Sequence, residues 1–160
     1  MKAVFPGSFD PITNGHLDII KRATKIFDQV IIVISNNTHK VNLFTPQERY
    51  SLVKEVCPYI SVKLIQDNLT IDFVRKLGAR IIIRGARNEQ DFVYEQQIAL
   101  MNQKMNPEIE TIILFSSPDY SFISSTLIRE IAQFKGDLTQ VVPENVNKAL
   151  KTKINCKDFL

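Results

Sequence analysis

The sequence predicts an α/β fold: a mostly parallel, doubly wound sheet of five strands with helices on both faces. Three observations carry that expectation. Short runs rich in Val, Ile and Phe alternate with longer segments of helical periodicity through the 160 residues. Several of the short runs are apolar almost throughout, as strands covered on both faces must be. The breaks between segments fall at Pro, Gly and Asn, and residues suited to starting a helix follow several of them.

The first strand is expected at Lys2 to Phe5, running into the Pro6-Gly7 turn. A helix over Leu17 to Phe27 follows, because Ile19, Ile20, Ala23, Ile26 and Phe27 form one apolar stripe. Val30 to Ile34 reads as the second strand. Thr45-Pro46-Gln47-Glu48 is a capping box, with Pro46 where no amide is needed, and it opens a helix to about Val56. Ile60 to Ile65 is the third strand, and Ile71 to Leu77 a short helix stopped by Gly78. Arg80 to Ile83 is the fourth strand; Glu89 to Met105 is the longest helix, closed by Asn106-Pro107. Thr111 to Phe115 is the last strand, with helices at Ser125 to Phe134 and Pro143 to Lys153 after it. Strand and helix alternating in this way give the Rossmann-like arrangement. No repeat or linker interrupts it, so a single domain over 1–160 is expected, with 154–160 as a tail.

Composition narrows the function. Hydrophobic residues make up 44% and charged residues 23%, as in ordinary soluble proteins. The net charge of +3 is spread without a basic run, which argues against a nucleic-acid partner and suits a pocket for small phosphorylated ligands. Cys57 and Cys156 have no metal or redox spacing and read as free thiols in a reducing compartment. No signal segment or membrane span is legible, and a cytoplasmic protein is expected.

In open α/β sheets, ligands bind beyond the carboxyl ends of the strands. Four segments fall there. Pro6 to His16 holds two glycines, the cap-type Thr13 and Asn14, and His16 in the first helical turn, where free amides and the dipole favour phosphate. A plain turn with a surface histidine is the competing reading. Neither Gly-x-Gly-x-x-Gly nor Gly-Lys-Ser/Thr is present. After the second strand, Lys40 could swing an ammonium over a ligand or merely be solvated, and His39 reads as a surface residue. Arg84-Gly85-Ala86-Arg87 places two guanidinium groups at a strand end, where they match phosphate oxygens or pair with Asp91 or Glu95 on the next helix. Ser124, Ser125 and Thr126 open a helix with Arg129 one turn on; one hydroxyl is explained as an N-cap, and the set suits a polyphosphate.

Together, Gly7-Ser8-Phe9-Asp10-Pro11, Thr13-Asn14-Gly15-His16 and Ile123-Ser124-Ser125-Thr126 with Arg129 resemble the two signatures of the nucleotidylyltransferase superfamily. Lys40, Phe44 to Arg49, Arg84 to Arg87, Asp91 to Gln97, Met101-Asn102 and Pro143 to Val146 are similar to the bacterial phosphopantetheine adenylyltransferase family. The likeness runs from Phe5 to about Lys151.

The resemblance implies transfer of AMP from ATP to 4′-phosphopantetheine, giving dephospho-coenzyme A and pyrophosphate with Mg²⁺. It implies catalytic roles for His16, Lys40 and Arg84, and contacts to phosphopantetheine from Ser8, Lys40, Thr70 and Arg84. For ATP it implies Ser8, Phe9, His16, Gly85, Ala86, Arg87 and Glu95. It adds Tyr120, Ser121, Phe122, Ile123, Ser124, Ser125 and Thr126 to the same list. The metal is expected through substrate phosphates and water, with no protein ligand. A homohexamer and feedback by coenzyme A are implied as well. Ala86 stands where the family often has leucine, Tyr120 where some members have tryptophan, and Thr70 where some have methionine.

The residue types suit direct transfer. A phosphate monoester is already nucleophilic near neutral pH, since its second pKa is about 6. No Ser-His-Asp or Cys-His arrangement suggests a covalent intermediate. Alignment and charge neutralisation are what in-line attack at the α-phosphorus needs. Two rival expectations are a sister enzyme acting on nicotinamide mononucleotide or a cytidylyl acceptor, and a non-catalytic adenine-nucleotide sensor. The Lys40 and Arg84 to Arg87 contexts disfavour the first, and retention of His16 and Lys40 disfavours the second.

Overall fold

The computed structural model describes residues 1–35, 41–65 and 69–157, with side-chain surroundings to residue 155. Its strands are β1 (Lys2–Gly7), β2 (Gln29–Ile34), β3 (Ser61–Leu64), β4 (Ile81–Ala86) and β5 (Glu110–Phe115). They form one sheet in the order β3-β2-β1-β4-β5, every pair parallel. The helices are α1 (Asn14–Ile26), α2 (Pro46–Val56), α3 (Thr70–Lys76), α4 (Glu89–Met105), α5 (Ser125–Gln133) and α6 (Glu144–Lys157). A 3-10 turn, Pro118–Tyr120, lies between β5 and α5 and has no counterpart among the expected elements.

Period-two alternation along the strands sorts the core into two layers. Ala3, Phe5, Ile32, Ile34 and Ile83 face the layer of Ile19 and Ala23 of α1, Val53 of α2, Ile128 of α5 and Leu150 of α6. Val4, Ile31, Val33 and Ile82 face the opposite layer with Ile71 and Val74 of α3. Right-handed crossovers require this: the chain moves outward through β2 and β3 on one face, then returns over the other face to β4 and β5. The predicted doubly wound α/β fold is the one observed.

Where β1 meets β4, the connectivity reverses, and the two strands also part. Their pairing covers only Ala3 with Ile81 and Val4 with Ile82. Each strand continues beyond that point on its other neighbour, β1 with β2 to Gly7 and β4 with β5 to Ala86. At the split a side chain replaces the ladder, as Arg84 Nη1 donates to the Pro6 carbonyl at 3.1 Å. A crevice therefore opens at the carboxyl end of the sheet, where such folds bind ligands.

Most expected boundaries shift by one or two residues, β1 for example running through Pro6 and Gly7 as strand instead of turning there, and three move further. Strand β4 runs to Ala86 rather than Ile83, because pairing with β5 continues through Ala86 and Phe115; Arg84 and Gly85 are strand residues. Helix α1 begins at Asn14, ahead of Leu17, because Thr13 caps it. Helix α6 does not stop at Lys153 but runs to Lys157, and Ile154 extends the buried stripe of Val146 and Leu150 by one more turn. Lys153 Nζ meets Glu48 Oε1 at 2.6 Å and lies 5.8 Å from the centre of the Phe44 ring, fastening this helix to α2. Among the described residues no helix is long and apolar enough to cross a membrane.

The last turn of α6 is therefore structural. Ile154→Ala should lower the unfolding free energy by about 2 kcal/mol, as removal of a buried aliphatic chain does, while Thr152→Ala on the exposed side should change it little. Urea unfolding of the two variants checks this.

Candidate active site

A cavity of about 530 Å³ occupies the crevice, bordered by β1, β4 and the starts of α1 and α5. The loop after β1 is held by buried charge. Asp10 is 0% exposed, and its carboxylate accepts the Leu43 amide at 2.8 Å and the Phe44 amide at 2.9 Å. Arg129 Nη1 reaches the same residue twice, at 3.1 Å to Oδ2 and 2.7 Å to the carbonyl. Arg49, also 0% exposed, donates to the Ser8 carbonyl at 2.6 Å and the Ser35 carbonyl at 3.1 Å. Four segments distant in sequence are thus tied around one loop. A charge buried this deeply is stable only with such partners.

Within that loop Phe9 takes a φ of 47°, a left-handed conformation rare for a bulky residue. Its ring packs edge-on to Phe5 at 5.5 Å and against His16 at 5.0 Å. Gly7 is what admits it, since a Cβ there would lie 3.0 Å from the Phe9 ring. The Phe9 side chain is a buried support beneath His16, which leaves its main chain as the part a ligand could meet.

His16 completes a capping box in which histidine stands where glutamate is usual. The Thr13 hydroxyl accepts the His16 amide at 3.4 Å, and the Thr13 amide donates to His16 Nδ1 at 3.1 Å. With Nδ1 accepting, the neutral ring carries its proton on Nε2. Burial, and then the positive charge of Arg87, lower the His16 pKa from 6.5 to about 4. At neutral pH it is an uncharged hydrogen-bond donor at the cavity wall. It is not a surface histidine.

Of the two readings that the sequence left open for the arginines, the ion pairing with Glu95 and Asp91 is observed. Arg84 forks onto Glu95, with Nε to Oε2 at 2.5 Å and Nη2 to Oε1 at 2.8 Å. Arg87 forks onto Asp91 in the same way, at 2.6 Å and 3.0 Å. All four residues also border the cavity. Burial raises the Asp91 pKa, but hydrogen bonds from the Arg87 side chain and amide, with its charge, outweigh that and hold it below the usual carboxylate value.

At the start of α5 each hydroxyl has a partner. Ser124 caps the helix by accepting the Leu127 amide at 3.0 Å, and Ser125 Oγ donates to the Pro11 carbonyl at 2.9 Å. Thr126 Oγ1 lies 3.4 Å from Arg129 Nη2. The hydroxyls are engaged within the protein, so an anion at this helix start would meet main-chain amides rather than free hydroxyls. Arg129, read from sequence as a pyrophosphate group, has one nitrogen committed to Asp10.

Of the residues expected to bind, Ser8, Phe9, His16, Arg84, Gly85, Arg87 and Glu95 border the cavity, as do Ile123, Ser124, Ser125 and Thr126. The rest do not. Ala86 is wholly buried, Thr70 starts α3, and Tyr120, Ser121 and the exposed Phe122 lie beside the wall. Lys40 and His39 lie outside the described residues. Cys57 is a buried free thiol, its pKa pushed up by burial despite nearby Lys54, and the Cys156 side chain lies outside the described surroundings. Sequence reading missed Asp10 and Arg49, whose burial has no local signature. It also missed the cap made by His16, although the Thr-x-x-His spacing matches a capping box.

The His16 shift has a measurable consequence. Between pH 6.5 and about 4 the unfolded chain takes up a proton that the folded chain refuses. The contribution is intact above about pH 6.5 and is lost progressively as pH falls toward 4. From pH 7 to pH 5 the wild type should lose about 1–2 kcal/mol more stability than His16→Gln, in which glutamine can still serve the capping box. Urea unfolding at the two pH values measures the difference.

The Cytidylyltransferase-like family profile matches residues 4–131. Phosphopantetheine adenylyltransferase of Alkaliphilus metalliredigens is 47% identical over 152 residues, 94% of this chain and 97% of that one. The enzymes of that name from Levilactobacillus brevis and Finegoldia magna are 44% and 43% identical, over 95% and 98% of this chain and 96% and 98% of theirs. Among solved structures, one from Vibrio parahaemolyticus, provisionally described as a nicotinate-nucleotide adenylyltransferase, superposes with a TM-score of 0.70 at 16% identity, covering 94% of this chain and 91% of its own. That likeness is one of fold. On the sequence relatives, the chain belongs to the phosphopantetheine adenylyltransferase family, within the Cytidylyltransferase-like group.

Proposed function

We propose that this protein transfers AMP from ATP to 4′-phosphopantetheine, releasing dephospho-coenzyme A and pyrophosphate, the penultimate step of coenzyme A synthesis. The observation that carries the reading is the neutral His16, set by its cap as an Nε2–H donor, facing the same crevice as Arg84, Arg87 and the amides of α5. The acceptor is assigned from the full-length likeness to named phosphopantetheine adenylyltransferases.

In the reaction an oxygen of the acceptor phosphate attacks the α-phosphorus in line. The new P–O bond forms as the bond to the bridging oxygen breaks, and the electron pair leaves with pyrophosphate. His16 donates from Nε2 to the α-phosphate as charge redistributes, a role worth about 3 kcal/mol by analogy with a single oxyanion donor. Being neutral, it keeps its proton throughout. Arg84, with Lys40, brings the acceptor anion toward the nucleotide, and Ser8 joins them on the pantetheine side. Arg87 and the amides at Ser125 and Thr126 receive the polyphosphate.

Mg²⁺ is part of the proposal. The cavity carboxylates Asp91 and Glu95 each give both oxygens to an arginine, so the fit is to an ion carried on triphosphate oxygens and water. Bound that way, such an ion would supply charge neutralisation to the polyphosphate. Feedback by coenzyme A is supported by chemistry, since it contains both halves of the product and would compete for the same crevice. A homohexamer belongs to the same proposal: neighbouring copies would cover the outward apolar residues of α4, namely Leu100, Met101 and Met105. A cytoplasmic site suits the free thiol Cys57.

Pyrophosphate release with ATP and Mg²⁺ should require 4′-phosphopantetheine and fail with nicotinamide mononucleotide. His16→Ala should cut turnover at least a hundredfold with ATP affinity nearly unchanged. Turnover near the wild-type value would remove His16 from the reaction.

A further inference from the structure

Asp91 stands at the third position of α4, behind its N-cap Asn88 and one turn beyond Arg87. Three donors converge on its carboxylate. The Arg87 amide reaches Oδ2 at 3.1 Å, Arg87 Nε the same oxygen at 2.6 Å, and Arg87 Nη2 the Oδ1 atom at 3.0 Å. The remaining guanidinium nitrogen, Nη1, lies 3.4 Å from the Ile123 carbonyl, immediately before the residue that caps α5. Arg87 therefore bridges the start of α4 to the start of α5, and one carboxylate fixes its plane, rotamer and reach.

A long cationic side chain at the mouth of a wet crevice samples many rotamers, and ordering it on ligand arrival opposes binding. A guanidinium already locked along its Nε edge loses less, and its outward hydrogens stay available to a second anion. The anion also sits at a helix N-terminus, where the dipole favours it without a solvated partner. From this geometry we infer that Asp91 is a positioning residue for the nucleotide: it pre-orders Arg87 toward the triphosphate and thereby sets ATP affinity. The inference rests on Arg87 meeting ATP as read above. Asp91 touches no reacting atom.

Asp91 acts through Arg87 in this account, so its effect must disappear when Arg87 is gone. The test is ATP affinity by calorimetry for the wild type, Asp91→Asn, Arg87→Ala and the double variant. Glu89→Gln serves as control: it removes an exposed charge from the same helix turn and has no arginine partner among the described residues. Asp91→Asn should weaken ATP about tenfold, the same change should matter less than twofold in the Arg87→Ala background, and Glu89→Gln should stay within twofold of the wild type. In the pyrophosphate assay Asp91→Asn should raise the KM for ATP about tenfold with kcat within threefold, a split that local unfolding would not give. ATP affinity unchanged in Asp91→Asn, or an equal loss without Arg87, overturns the inference. Failure of the wild type to use 4′-phosphopantetheine would count against the proposed reaction instead, and the affinity cycle would still judge Asp91.

Discussion

One buried carboxylate organises the crevice. Asp10 has no contact with solvent, yet it joins the loop after β1 to the amides preceding α2 and to the guanidinium of α5. Without those partners a buried charge there would be strongly unfavourable, so they favour a single arrangement of the loop. The rest depends on that arrangement. Phe9, one residue earlier, is held in its left-handed conformation under His16, and Ser125 and Arg129 meet the main chain of Pro11 and Asp10. The fold supplies a split between β1 and β4, and Asp10 determines what faces into it.

The electrostatics of the site are those of a nearly neutral pocket of matched charges, as suits the anionic ligands proposed above. Arg84 and Arg87 are each matched by a carboxylate on α4, and His16 carries no charge at neutral pH. The matched pairs keep the guanidinium groups ordered before a ligand arrives, which is where pre-organised sites gain their advantage. The neutrality of His16 has a local origin as well. Its Nδ1 serves as the acceptor that starts α1, so protonation would disturb both the ring and the helix cap.

The sheet, its order of elements and the edge that carries the site were legible because periodicity and turn chemistry are local. The Thr45 to Glu48 capping box and the limits of α4 stand where the sequence puts them. Arg84 was placed one element too late, because a strand end set by pairing with a distant neighbour has no local marker. Ile154 was assigned to a tail because one apolar residue after several polar ones does not reveal whether a core awaits it. Asp10 and Arg49 were invisible for a deeper reason: their partners lie 33 to 119 residues away for Asp10 and as far as 41 for Arg49. Resemblance to a family supplied the acceptor, which no spacing of residues could have given.

The central claim is that the buried Asp10 anchor holds the site in one preformed arrangement. Amide hydrogen exchange on the ligand-free protein tests it directly, because Leu43 and Phe44 donate to that carboxylate from a segment with no regular secondary structure. The account predicts that these two amides exchange about as slowly as those inside β2, while Val41, 93% exposed, exchanges at the rate of an open loop. Exchange of Leu43 and Phe44 at the Val41 rate would mean that Asp10 does not hold the loop, and the preformed site would have to be abandoned.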